Sequence, residues 1–172
     1  MNTFSSTPSL LHLEGFDGAS RRNRPNLVKG STVFAYVSSN NNAGDMPALL
    51  TCKSPLDPNG VGGKKDWMTG EAMYGPLKGG VLVPNLPVGY PPRLVDGRFG
   101  LLESISRANN KGLGFEVVSG ANGAVWIRAQ DAKTTAAIAG CVQGAAGLKP
   151  EDREGMVREA AKWIQNGGGE GA

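Results

Sequence analysis

The first third of the chain carries short apolar runs at strand rather than helix spacing. Residues 9–13 ("SLLHL"), 31–37 ("STVFAYV") and 48–52 ("ALLTC") are bounded by stretches rich in Gly, Pro, Asn and Ser, which predicts three strands. In the second run Val33, Ala35 and Val37 alternate with Phe34 and Tyr36, so both of its faces are at least partly covered. The intervening "EGFDGASRRNRPNLVKG" and "SSNNNAGDMP" are loops, the first broken by Gly15, Gly18, Pro25 and Gly30. Residues 53–80 hold seven glycines and three prolines with little periodicity. A linker is expected over 53–79, with β structure resuming at "GVLVPNL" from Gly80.

The second half mixes helix and strand. Leu94, Leu101, Leu102 and Ile105 fall at helical spacing in 93–110, with a break expected at Gly97 or Gly100. Thr135, Ile138, Ala139, Val142, Ala145 and Ala146 make a second apolar stripe, and Asp131 stands where an N-cap would. Pro150, followed by Glu151 and Asp152, starts a third helix whose stripe is Met156, Val157, Ala160, Ala161 and Ile164. The terminal "GGGEGA", residues 167–172, reads as a disordered tail.

Between the helical stretches lies "GFEVVSGANGAVWIRAQ", residues 114–130. Its Gly120-Ala121-Asn122-Gly123 has the outline of a GxxG loop, which clamps a nucleic-acid backbone when it sits between two helices. The flanks "FEVV" and "AVWI" are strand formers instead, and Asn-Gly between such runs predicts a type I′ hairpin. With Asn122 and Gly123 central, Ala121 pairs Ala124, Ser119 pairs Trp126 and Val117 pairs Arg128. The loop is then a turn rather than a clamp.

Composition narrows the function. Of 172 residues, 18 are basic and 15 acidic, a net charge of +3, which permits an anionic partner without requiring one. Cys52 and Cys141 are far apart and form no CxxC pattern, so neither a disulfide framework nor a zinc site is expected. The default compartment is reducing and intracellular. The first residues lack a basic n-region and a long apolar core, and no run approaches the roughly 18 apolar residues of a membrane span.

Two motifs then resemble one family, ribosomal RNA-processing protein 40 (exosome complex component 3). Gly120, Asn122, Gly123, Trp126 and Ile127 stand at the positions of its GxNG signature. Gly18, Ala19, Arg21 or Arg22, Asn23, Arg24 and Pro25 correspond to its S1-domain segment. The likeness covers roughly residues 9 to 165. It implies an α+β chain: a partial S1-like OB-fold β-barrel over 1–52, the linker, and a divergent KH-type α/β domain with a GxNG hairpin over 80–166. With three strands before the linker against the five of an OB barrel, the resemblance implies an N-terminally truncated form. It also implies a non-catalytic cap subunit that binds RNA, docks on RNase PH-like ring subunits and other cap subunits, and works in the nucleus and nucleolus and also in the cytoplasm. An interaction-only scaffold on the same ring subunits is the other reading.

Arg21, Arg22 and Arg24 are the densest basic cluster, and Arg suits bidentate phosphate contacts. The same loop read blandly is solvated, or docked on an acidic partner. Lys111 and Arg128 are candidates to flank the KH surface, whereas Lys64 and Lys65 read as solvated. Trp126 is placed in the core in preference to stacking a base. Gly120, Asn122, Gly123 and Trp126 are read as structural. His12, the only histidine, has no Cys or carboxylate pattern beside it, and the aspartates at 17, 45, 57 and 66 are scattered in loops. "GVGGKK" lacks the P-loop pattern. No cofactor, metal, membrane or small-molecule substrate is expected.

Overall fold

The computed structural model describes residues 1–39, 47–54, 68, 72–97, 100–108, 114–149 and, within the last stretch, 152, 153, 155, 156, 158, 159 and 162. The chain is α+β and divides into two compact units, Met1–Lys78 and Gly79–Ala172.

The first unit is built from β1 (Leu10–Phe16), β2 (Thr32–Phe34), β3 (Tyr36–Ser39), β4 (Leu49–Cys52) and β5 (Gly75–Leu77). One sheet has the order β1-β4-β3, with β1 parallel and β3 antiparallel to β4; β2 and β5 form an antiparallel ribbon. Two expectations need correction. The single strand read over 31–37 breaks at Ala35, because its two halves pair with different partners, β5 and β4. The end of the expected 53–79 linker contributes β5, so the first unit is longer than the 1–52 expected. Local pattern gives no sign of β5, whose sequence is Gly-Pro-Leu. Its position follows from packing: the ring of Tyr74, just before it, stacks on Phe34 at 5.0 Å and lies tilted against Tyr36 at 5.1 Å. Pro76 is tolerated because this ribbon has no central strand to interrupt.

Phe16 and Cys52 are fully buried and Leu50 nearly so. The Cys52 thiol donates to the Phe34 carbonyl at 3.4 Å. Burial, and to a smaller extent the charge of Asp17, pushes this thiol up to about 12. Burial also raises Cys141. The thiolate is the reactive form, so a thiol reagent at about pH 8 should label both cysteines in denaturant and neither in the native protein. Rapid labelling of the folded chain would contradict this packing.

The second unit orders β6 (Val81–Val83), β8 (Val125–Ala129) and β7 (Phe115–Ser119) in one antiparallel sheet, β6-β8-β7. Side chains alternate along the central strand. Val125 and Ile127, both fully buried, join a core with Leu94 of α1 (Tyr90–Val95), Ile105 of α2 (Leu101–Ala108), and Ile138 and Val142 of α3 (Ala132–Ala145). The Tyr90 hydroxyl donates to the Val142 carbonyl at 3.0 Å and ties α1 to α3. Described positions between 152 and 162 are helical, and the 167–172 tail lies outside the described residues.

Asp131 does cap α3. Its carboxylate accepts from the Thr134 amide at 2.8 Å and the Thr134 hydroxyl at 2.7 Å, and these bonds hold it below the ordinary carboxylate value. Thr135 adds a link that periodicity does not show. Its buried hydroxyl donates to the Asp131 carbonyl at 2.8 Å and accepts from the Ala129 amide at 3.0 Å, joining helix to strand. Thr135→Val keeps the volume and orphans that amide, so it should cost about 1–3 kcal/mol in denaturant unfolding. An unchanged unfolding midpoint would show that water replaces the hydroxyl.

The connection between β7 and β8 corrects the expected register. Ser119 faces Val125, Val118 faces Trp126, Val117 faces Ile127 and Glu116 faces Arg128, one residue off the type I′ pairing. The Gly120 amide donates to the Ala124 carbonyl at 2.8 Å, which leaves Ala121, Asn122 and Gly123 as a three-residue loop. Only Gly123 has positive φ, at 78°. This is the three-residue hairpin with glycine in the left-handed position, whereas type I′ would need positive φ at Asn122 too.

Candidate nucleic-acid interface

In the first unit, local pairing irregularity decides where the basic side chains stand. The β1–β4 ladder runs Leu10↔Leu49 and Leu11↔Leu50, then resumes only at Phe16↔Cys52. Between these pairs His12, Leu13, Glu14 and Gly15 face Thr51 alone. This is a wide bulge in β1, of the kind that re-aims side chains. The Thr51 hydroxyl donates to the Gly15 carbonyl at 3.4 Å and fastens the bulge to β4. A Cβ added at Gly15 would lie 3.0 Å from the His12 carbonyl oxygen, so the bulge folds tightly back on itself.

The bulge opens a groove of about 710 Å³. Its polar lining is His12, Glu14, Arg24, Ser38, Thr51 and Lys53, with leucines of β1 and β4 as apolar walls. His12, Glu14, Arg24 and Lys53 are exposed. The side chains of His12, Arg24 and Lys53 make no hydrogen bond or ion pair to a described residue.

The arginine loop follows directly. Ser20 and Asn23 exchange backbone hydrogen bonds at 2.8 and 3.1 Å, so Arg21 and Arg22 are the two central residues of a tight turn. Pro25 is buried and anchors the chain behind Arg24. All three guanidiniums are exposed, and none pairs with a described residue. Three exposed guanidiniums without a described partner thus stand within four positions.

The other predicted positions separate. Lys111, Lys64 and Lys65 lie outside the described residues. Arg128 belongs to the second unit, on β8, and its Nη2 lies 3.6 Å from Glu116 Oε1. That ion pair exists because of the register correction, since a Val117 partner would offer no charge. Trp126 is buried, as expected, on the sheet face opposite Val125 and Ile127. Gly80 makes room for it: a Cβ there would collide with the Trp126 ring and lie 2.5 Å from the Ile127 carbonyl oxygen. Gly120, Asn122 and Gly123 form the turn described above. Among the described residues no group of three His, Cys, Asp or Glu gathers to hold a metal, and no helix is long and apolar enough to cross a membrane.

The residue pattern singles out neither Lys53 nor a groove position for His12. No local signal marks either, because both depend on a bulge that appears only when β1 and β4 pair.

Residues 1–62 match the family model described as "Exosome complex component RRP40, S1 domain", so the first unit carries an S1-type domain. The chain is 28% identical over 153 residues to "Exosome complex component rrp40" of Schizosaccharomyces pombe, covering 88% of this chain and 56% of the relative. It is 28% identical over 140 residues to "Exosome complex component RRP40" of Drosophila melanogaster, covering 80% of this chain and 51% of the relative. The chain spans about half the length of the curated relatives it matches.

Proposed function

We propose that this protein is a non-catalytic, RNA-binding subunit of an exosome-type RNA-processing assembly. The observation that carries the reading is the Ser20–Asn23 turn: exposed Arg21 and Arg22, with Arg24 beside them and no described residue paired to any of the three, on the unit similar to an exosome S1 domain. Such a turn offers guanidiniums to phosphates without first breaking an ion pair to a described residue. Binding of this kind is mainly electrostatic and tolerant of sequence. In this reading the second unit is a divergent KH-type domain whose GxNG turn is structural, and Arg128 adds charge from its sheet. The protein guides RNA for 3′–5′ processing while docked on RNase PH-like ring subunits and other cap subunits. It works in the nucleus and nucleolus and also in the cytoplasm.

A scaffold that touches RNA little has one observation in its favour. Leu10 and Leu13 on β1 and Val37 on β3 are exposed apolar residues on the outer strands of the sheet, which suits protein docking. The two readings separate in one experiment. The purified chain is titrated with single-stranded RNA at several salt concentrations, and its co-purification with RNase PH-like subunits is tested after RNase treatment. Salt-sensitive RNA binding supports the proposal. Partner retention with no RNA affinity replaces it with the scaffold.

A further inference from the structure

We infer that Ser20 is a phosphorylation site, and that a phosphate there closes the arginine turn on itself and weakens RNA binding. This inference rests on the RNA-binding reading and adds its regulation.

The hydroxyl stands where a kinase can reach it. Ser20 is exposed, at the mouth of the turn. Its Oγ accepts from the Asn23 amide at 3.2 Å, an amide already shared with the Ser20 carbonyl at 3.1 Å. Two backbone bonds close the turn, so opening it into the extended form that a kinase groove takes costs little. The basic side chains of Arg21, Arg22 and Arg24 follow directly and suit a kinase whose substrate groove is acidic. In the transfer, Ser20 Oγ attacks the γ-phosphorus of ATP and the bond to the β-phosphate oxygen breaks. ADP leaves, and the hydroxyl proton passes to the kinase's catalytic carboxylate.

The product is placed to bind its own neighbours. A phosphoserine carries about −1.5 to −2 charges and three strong acceptor oxygens. Arg21, Arg22 and Arg24 are exposed and pair with no described residue. Asp17, the nearest carboxylate before Ser20 in the sequence, accepts from the Ser54 amide at 2.9 Å and so faces the end of β4. Phosphate takes guanidinium in bidentate, charge-assisted hydrogen bonds. A phosphate tethered this close acts at an effective concentration on the order of millimolar. It therefore competes with an RNA phosphate for the same side chains.

The test prepares the full chain with phosphoserine inserted at position 20 during translation. Both forms are titrated with a labelled single-stranded oligouridine of about twelve nucleotides in ~0.1 M salt. Phosphorylation should weaken binding about 20-fold and lower the salt slope by about 1.4, the share of two single-strand phosphates. In an Arg21→Gln/Arg22→Gln/Arg24→Gln background the same phosphate should cost less than about threefold, because its targets are gone. Phosphorus NMR without RNA should place the second pKa of the phosphoserine below its usual ~6, and the Gln background should restore it. The folded, unmodified chain, treated with ATP and a serine kinase that selects basic residues after the hydroxyl, should gain a phosphate that mass spectrometry maps to Ser20. Undiminished affinity in the phosphoserine chain overturns the inference while RNA binding stands. An equal loss in the Gln background means that the phosphate acts without the arginines, which also overturns it. A kinase-treated chain without phosphate at Ser20 overturns the modification itself. If the unmodified chain binds no oligouridine, the RNA-binding reading falls and the switch falls with it.

Discussion

Replacing Arg21, Arg22 and Arg24 together by Gln should lower single-stranded RNA affinity about 100-fold in ~0.1 M salt. The magnitude follows from counterion release. Each phosphate neutralised on a single strand adds about 0.7 to the dependence of log affinity on log salt, so three contacts contribute about 2. Between ~0.1 M and the ~1 M reference that slope is worth about two decades. The fold has little stake in the change, because the three side chains are exposed and pair with no described residue. The Ser20–Asn23 turn is held by backbone bonds that Gln leaves in place. The triple variant should therefore unfold at the wild-type denaturant concentration while its salt plot flattens. A full-strength, salt-steep RNA interaction in the triple variant would remove this turn from the mechanism.

The contrast with Arg128 shows why geometry matters more than charge count. Arg128 carries the same guanidinium, yet Glu116 stands across from it at 3.6 Å. Both side chains are largely exposed, and surface pairs of this kind contribute little to stability. The pair nevertheless offsets the field that a phosphate would feel. The arginines of the turn have no such partner among the described residues, and so the larger effect is assigned to them.

What the residue pattern reveals and what it hides divides along one physical line. Helix α3 is legible because its determinants are local: a capping carboxylate at Asp131 and an apolar stripe that one helix face must bury. The break between α1 and α2 is legible for the same reason, since Gly97 and Gly100 both take positive φ. The arginine turn is legible because Gly, Asn and Pro around it leave the chain no regular alternative. The features that escape are those set by partners distant in sequence. β5 is a strand because β2 and Tyr74 are beside it. Ala35 is a break because the flanking halves pair with different strands. The bulge in β1 arises from a parallel neighbour nearly forty positions away, and it alone brings His12 and Lys53 to one groove. For the site, the cationic turn could thus be read ahead of the structure, whereas the shape beside it could not.

The hairpin is the most telling of these cases, and it carries the second large prediction: Gly123→Ala should destabilise the protein by about 2–5 kcal/mol, more than Gly120→Ala. Gly123 has φ 78°, a left-handed conformation that costs an alanine about 1–2 kcal/mol. A Cβ there would also lie 2.8 Å from the Leu86 carbonyl oxygen. That oxygen cannot swing aside, because it belongs to backbone already docked on the turn: the Leu86 amide donates to the Gly123 carbonyl at 2.8 Å. Overpacking against fixed backbone adds a further 1–3 kcal/mol, of the order seen in crowded cores. This docking, which no local pattern encodes, accompanies the three-residue loop found where Asn-Gly alone predicts type I′. At Gly120 the obstruction is of another kind. A Cβ would meet the Asn122 side-chain oxygen first, the mobile end of an amide, and the Ala124 carbonyl oxygen only at 3.2 Å. The atom that must give is a side-chain end rather than backbone, and φ at Gly120 is not in the left-handed region, so a smaller cost of about 1 kcal/mol is expected. Urea unfolding of the two variants checks the order, and faster hydrogen exchange at Leu86 and in β8 should accompany the Gly123 change. Equal midpoints for the two variants would mean that the Gly123–Leu86 contact does not fix the turn, and the GxNG pattern would then need a reason other than packing.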